Sequence, residues 1–201
     1  MTEAVTGAAV ADVPGAERAL AGLALRVGQG FDVHPFSDDP ERPLVLGGVH
    51  FTDGRGLAGH SDADVIAHAV TDALLGACGL GDIGQHFPDT DPALAGADSF
   101  ELLGRAVADV RAAGWVPQNV DCTVVLDRPS LAPHRDAIQR GLGTVVGAPV
   151  TVKGKRPEGL GALGRGEGVA CFAVALVTGR PAPPPARAAA PPAPPPGVRR
   201  G

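Results

Sequence analysis

HSDADVIAHAVTDALLGACG, residues 60–79, is the stretch on which the fold turns. Its apolar positions recur at helical spacing. Ile66, Val70, Ala73 and Ala77 form one stripe, and Gly79 stops it. Ser61 stands where an N-cap is expected, with Asp64 three residues on in the manner of a capping box. Asp64, His68 and Asp72 then fall at i, i+4 and i+8 on a second face, away from the apolar stripe. A histidine held among acids on a polar helix face is a candidate metal ligand, with flanking carboxylates to orient its ring.

Such a histidine needs partners, and GQGFDVHPF, residues 28–36, offers them. In an extended segment, residues at i and i+2 leave the same face, so Asp32 and His34 point one way and Val33 the other. Asp32, His34 and His68 together give two imidazoles and one carboxylate. That set suits zinc with a fourth position open for substrate, or non-haem iron. Iron sites of this type commonly sit on double-stranded β-barrels, so a ligand on a helix favours zinc.

Outward from these segments, LRVGQGF and PLVLGGVHF read as two strands joined by a turn around SDDPER. ADSFELLGRAVADVRAAG and PHRDAIQRGLGTVVG read as two more helices, and VDCTVVLD, PVTVKGK and GVACFAVALV as three more strands. The order does not alternate as in a doubly wound sheet. It predicts an α+β fold, a single mixed β-sheet covered on one face by helices. The working domain is 24–179. Residues 1–23 form an N-terminal extension. Residues 180–201 hold nine of the chain's 20 prolines and read as a disordered Pro/Ala-rich tail.

Composition narrows the function. Of 201 residues, 44% are hydrophobic and 19% charged, which is a globular balance. A net charge of −5 leaves no basic surplus for nucleic acid, and six Phe, one Trp and no Tyr leave little for stacking on bases. Cys78, Cys122 and Cys171 have no paired spacing and read as reduced thiols of a cytoplasmic protein. No apolar run reaches the ~18 residues of a membrane span. The start, MTEAVTGAAVADVPGAERAL, is acidic, unlike a signal peptide.

Two loops add chemistry. GLGDIGQHFPDTDP places Asp82, Asp89 and Asp91 where they can hold sugar hydroxyls or a cation such as magnesium. KGKRPEGLGALGRGEG crowds Lys153, Lys155, Arg156 and Arg165 among glycines that free backbone amides for phosphate. A metal, magnesium-type carboxylates and a cationic Gly-rich loop together point to diphosphate chemistry.

GFDVHPF, LGGVHF, HSDADVIAHAVTDALLGACGLGDIG, FPDTDP and GRGEG, in this order, resemble the 2-C-methyl-D-erythritol 2,4-cyclodiphosphate synthases of the non-mevalonate isoprenoid pathway. The resemblance runs from about Arg26 to Val177. It implies a homotrimer with active sites between subunits, one zinc per chain and a second ion, magnesium or manganese. It also implies a CDP-linked small-molecule substrate, whose 2-phosphate attacks the β-phosphorus to close a cyclic diphosphate and expel CMP.

Carried onto this chain, the resemblance makes Asp32, His34 and His68 the zinc ligands and Glu158 the ligand of the second ion. His60 and Ser61 hold the 2-phosphate, and His60 steadies the transition state. Asp82 and Gly84 contact the ribose, and Ile83 between them also binds substrate. Phe87, Pro88, Asp89, Thr90 and Asp91 surround the methylerythritol unit. Leu126, Asp127, Arg128, Pro129, Ser130, Leu131 and Ala132 form the cytosine pocket. Arg165 falls at a proposed isoprenoid-diphosphate site on the trimer axis.

The chain departs from the family in three places. Lys155, Arg156 and Pro157 stand for the threonines of the phosphate loop. Ser130 stands for a lysine after Pro129, and Ala162-Leu163 for a Phe-Thr pair. Arg156 is therefore expected to hold the β-phosphate by a charge-assisted contact. Two rival functions remain at this level: a metal-dependent phosphohydrolase, and a trimeric nucleotide-binding module without turnover.

Overall fold

Strand β1 (Ala24–Pro35) carries glycine at 28 and 30, and these two residues let a helix lie directly on it. The computed structural model describes residues 24–179. A Cβ at Gly28 or Gly30 would sit 2.0 Å from a carbonyl oxygen of that helix, at Ala73 and Ala69 respectively. The helix, α1 (Val65–Cys78), contributes alanines at 69, 73 and 77, so backbone approaches backbone.

Between these elements lies a hairpin, β2 (Leu44–Leu46) and β3 (Val49–Phe51). The sequence reading made PLVLGGVHF one strand of a single sheet; it is a separate two-stranded unit. The cause is Gly47-Gly48, which take φ of 59° and 72° and turn the chain back on itself. Their amides donate to Asp64 at 2.8 and 2.7 Å, and the same carboxylate accepts from Ile66 and Ala67 at 3.0 and 3.2 Å. Asp64, fully buried, is thus the N-cap of α1 and ties the hairpin to it; Ser61 is not the cap.

The main sheet runs β1, β6 (Gly168–Gly179), β4 (Trp115–Val125), β5 (Val150–Lys155). β6 is antiparallel to both neighbours and β4 is parallel to β5, so the sheet is mixed as expected. Helices cover one face. α1 lies on β1 and β6, α2 (Ser99–Ala112) packs on α1, and α3 (Arg135–Val146) on β5 and α2. Ile66, Leu74, Leu103, Ile138 and Leu142 fill the core between the layers.

Alternation sends the other side chains of β1 to the opposite face, where Leu25, Val27, Phe31 and Val33 are 46–68% exposed. Phe172 faces Phe31 across the strands, their rings 4.8 Å apart, and Val174 and Val116 extend the patch. Nothing among the described residues covers it. The extension 1–23 and the tail 180–201 lie outside the described residues.

Candidate metal centre and flanking cavities

Because α1 rests on the two glycines, His68 comes to the end of β1 where Asp32 and His34 face the helix. Asp32 Oδ2 is 3.0 Å from His34 Nε2 and 3.0 Å from His68 Nδ1, and the two nitrogens are 3.2 Å apart. Bonds of about 2.0–2.1 Å around a tetrahedral zinc place ligand atoms about 3.3 Å apart, so these three atoms suit one shared ion. Burial disfavours the Asp32 charge, yet the hydrogen bonds and charges of both histidines hold its carboxyl well below the ordinary carboxylate range. His34 is raised despite its burial, through its contact with Asp32.

The remaining ring nitrogens are oriented by groups for which the sequence suggested no such role. His34 Nδ1 donates to the Ala58 carbonyl at 2.8 Å. His68 Nε2 lies 2.9 Å from Ser99 Oγ and 3.1 Å from Ser61 Oγ, and Ser99 in turn donates to Asp62. Asp64 and Asp72, expected to orient the rings, do other work. Asp64 caps the helix, and Asp72 accepts from the Ile83 amide at 2.8 Å, fixing the helical turn Ile83–His86. Helical spacing showed the shared face of Asp64, His68 and Asp72 but not which backbone amides would reach the acids first.

The triad opens into a cavity of about 450 Å³ that His60, Ser61, Ile83, Gly84, Phe87, Pro88 and Asp89 also line. Leu94 and Leu102 add apolar wall. Three expected residues stand beside it. Asp82 caps the helical turn by accepting from Gln85 N at 2.9 Å, and Asp91 accepts from His60 Nε2 through its carbonyl at 3.1 Å, with Thr90 exposed next to it.

A second cavity, about 130 Å³, is lined by Leu126, Asp127, Pro129, Ser130, Leu131, Ala132, Lys155 and Arg156. Arg135, from the start of α3, joins them, so three cations face one carboxylate. Arg128 lines a neighbouring depression with Arg55. Pro157, Glu158 and Arg165 line neither cavity. Glu158 is exposed at a left-handed φ of 51°, and Arg165 pairs with Glu167 at 2.6 Å. No residue lines both cavities.

A comparison with protein families finds the YgbB family over residues 25–178. The chain belongs to the YgbB family. A curated relative from Bordetella petrii, named 2-C-methyl-D-erythritol 2,4-cyclodiphosphate synthase, is 57% identical over 76% of this chain and 94% of its own length. One with the same name from Chromobacterium violaceum is 56% identical over 76% of this chain and 97% of its own.

Among solved structures, the IspF of Plasmodium falciparum in complex with CDP aligns with TM-score 0.68 and 33% identity, over 78% of this chain and 97% of that one. The bifunctional IspDF of Campylobacter jejuni aligns with TM-score 0.74 and 40% identity over 78% of this chain. The YgbB-family chain spans only 43% of that longer protein. The family read from the motifs is therefore borne out, as are the α+β fold and the synthase activity. Among the described residues, no helix of this YgbB-family chain is long and apolar enough to cross a membrane.

Proposed function

We propose that the chain converts 4-diphosphocytidyl-2-C-methyl-D-erythritol 2-phosphate to 2-C-methyl-D-erythritol 2,4-cyclodiphosphate and CMP. One observation carries this reading: Asp32, His34 and His68 converge on a cavity that also holds His60 and Ser61, in a chain of the synthase family. An oxygen of the 2-phosphate bonds to the β-phosphorus, the bond from that phosphorus to the bridging oxygen breaks, and CMP leaves with the electron pair. The nucleophile is already part of the substrate. The chain has to fold a polyanion so that two of its phosphates meet, which is positioning and charge stabilisation.

His60 and Ser61 hold the 2-phosphate, Asp82 and Gly84 the ribose, and the Phe87–Asp91 loop the methylerythritol unit. The second cavity takes the cytosine between Leu126 and Ala132, and Lys155 and Arg156 reach the diphosphate. Asp32, His34 and His68 would hold one zinc ion, and Glu158 a magnesium or manganese ion. When bound, these ions supply Lewis-acid polarisation of phosphate oxygens.

One substrate must span both cavities, and no residue lines the two together. The apolar sheet face of Phe31, Val33, Phe172 and Val174 is left uncovered by the described residues of a single chain. Both features support a homotrimer in which the metal cavity of one subunit meets the nucleotide cavity of the next. Buried, unpaired Cys78, Cys122 and Cys171 suit a reducing compartment, and we assign the cytoplasm. No nucleic acid and no membrane takes part in this reading.

The test is incubation with the CDP-linked substrate, following CMP and identifying the phosphorus product by NMR. Cyclic diphosphate with stoichiometric CMP is expected. Free phosphate without a cyclic product would favour the phosphohydrolase, and CDP binding without CMP release the binding module.

A further inference from the structure

The loop Leu57–Ser61 carries His60 and Ser61 into the metal cavity, and each of its five carbonyls is engaged from outside the loop. The Ala58 carbonyl accepts from His34 Nδ1 at 2.8 Å, and the His60 carbonyl from the Gly96 amide at 2.8 Å. The other three belong to one side chain. Arg42 donates through Nε to Leu57, and through Nη2 to Gly59 at 3.0 Å and to Ser61 at 2.5 Å.

Arg42 comes from the segment just before β2 and lines no part of the metal cavity. Among the described residues its guanidinium meets no carboxylate at ion-pair distance. Its donors go to the loop backbone instead. A planar fork with five N–H groups can span three carbonyls along a curved loop; an ammonium on a flexible stem cannot.

We propose that Arg42 is a positioning residue for the cyclisation, acting through the loop Leu57–Ser61 on His60, Ser61 and His34. The loop links two parts of the site. One end sets the orientation of His34 through the Ala58 carbonyl, and the other presents the His60 ring and Ser61 hydroxyl to substrate. Releasing the guanidinium frees both ends together. A displacement of about 1 Å in groups that position substrate costs on the order of 10²-fold in rate. The effect on turnover rests on the synthase reading given above; the effect on the loop does not.

The experiment compares Arg42→Ala and Arg42→Lys with the unaltered full-length chain. It measures turnover of the CDP-linked substrate, CMP affinity by calorimetry, and amide hydrogen exchange. Arg42→Ala is expected to lose about 10²-fold in kcat, by the magnitude just given. CMP affinity should stay within about twofold, because CMP reports on the other cavity, and faster exchange should be confined to residues 57–62. Arg42→Lys keeps the charge without the fork and should recover only a small part of kcat. Should Arg42→Ala fail to fold, Arg42→Lys carries the same test. Full turnover in Arg42→Lys would mean that charge, not the fork, matters, and would overturn the proposal. So would unchanged loop exchange in either folded variant. An unaltered chain that releases no CMP would sink the synthase reading, while the exchange result would still decide whether Arg42 holds the loop.

Discussion

The two cavities are built in opposite ways. Around the metal triad every ring nitrogen of His34 and His68 has a partner, the loop above is held at each carbonyl, and Asp72 pins the turn below. Around the second cavity Lys155, at the end of β5, and Arg156 are exposed, and in the loop that follows Glu158 and the glycines at 159 and 161 take left-handed φ. A single chain thus completes the metal half alone and offers the other half as loose cations. The difference has a physical reason. Metal ligands need fixed geometry before the ion arrives, whereas cationic side chains can close on a phosphate after it binds, at some entropic cost.

The largest effect should come from breaking the rigid half. His68→Ala removes one ligand from the centre of the triad. Zinc, expected near one equivalent in the unaltered chain after mild dialysis, should fall far below that by metal analysis. Metal-borne charge stabilisation of several kcal/mol, at 1.36 kcal/mol per tenfold, sets the loss of turnover at about 10³-fold. Full zinc retention in both His34→Ala and His68→Ala would remove the site.

Next comes the loose half. Arg156→Ala should lower kcat by about 10²-fold, the lower end of the range for a fixed donor because this side chain closes only on binding, with zinc content and oligomer mass unchanged. Arg156→Thr should recover part of the loss. Turnover of Arg156→Ala within about threefold of the unaltered chain, far short of that magnitude, would place the side chain in solvent.

The same contrast explains what could be read from sequence. Asp32, His34 and His68 were legible because a strand alternates with period two and a helix repeats at about 3.6, so spacing alone gives direction. The hairpin was missed although its signal was present, since Gly47-Gly48 between apolar runs is a turn pattern. Ser99, Ala58 and Arg42 carried no signal. Each acts through a contact 24 to 31 residues away, or 15 to 19 for Arg42, that only the tertiary packing of separate segments creates. Asp64 was misread because its role depends on the amides of the unforeseen hairpin.

A smaller effect tests how far the rigid half extends beyond its ligands. Ser99 Oγ stands between His68 Nε2 and Asp62, so Ser99→Ala leaves the triad intact but its far nitrogen without that partner. Loss of such an outer partner typically weakens metal binding 10- to 100-fold, and with Ser61 still 3.1 Å away the lower value, about tenfold, is expected. Competition with a chelator would read it. An unchanged affinity would make Ser61 the sole orienting hydroxyl.

The mildest loss addresses whether the halves meet between subunits. His68→Ala spoils the metal half and keeps the loop; Arg156→Ala does the reverse. If each site joins one subunit's metal cavity to the next subunit's loop, a cyclic trimer holding both variants always contains one junction of the right polarity, where two intact halves face each other. This follows from head-to-tail closure and holds for either ratio of the two chains. Doubly tagged mixed trimers, purified after co-expression, should therefore turn over at about one third of the unaltered rate, well above either variant alone. If both halves of a site came from one subunit, every site in the mixed trimer would carry one defect. Activity would then stay at the level of the single variants, and the reading that sites form between subunits, though not the chemistry, would fall.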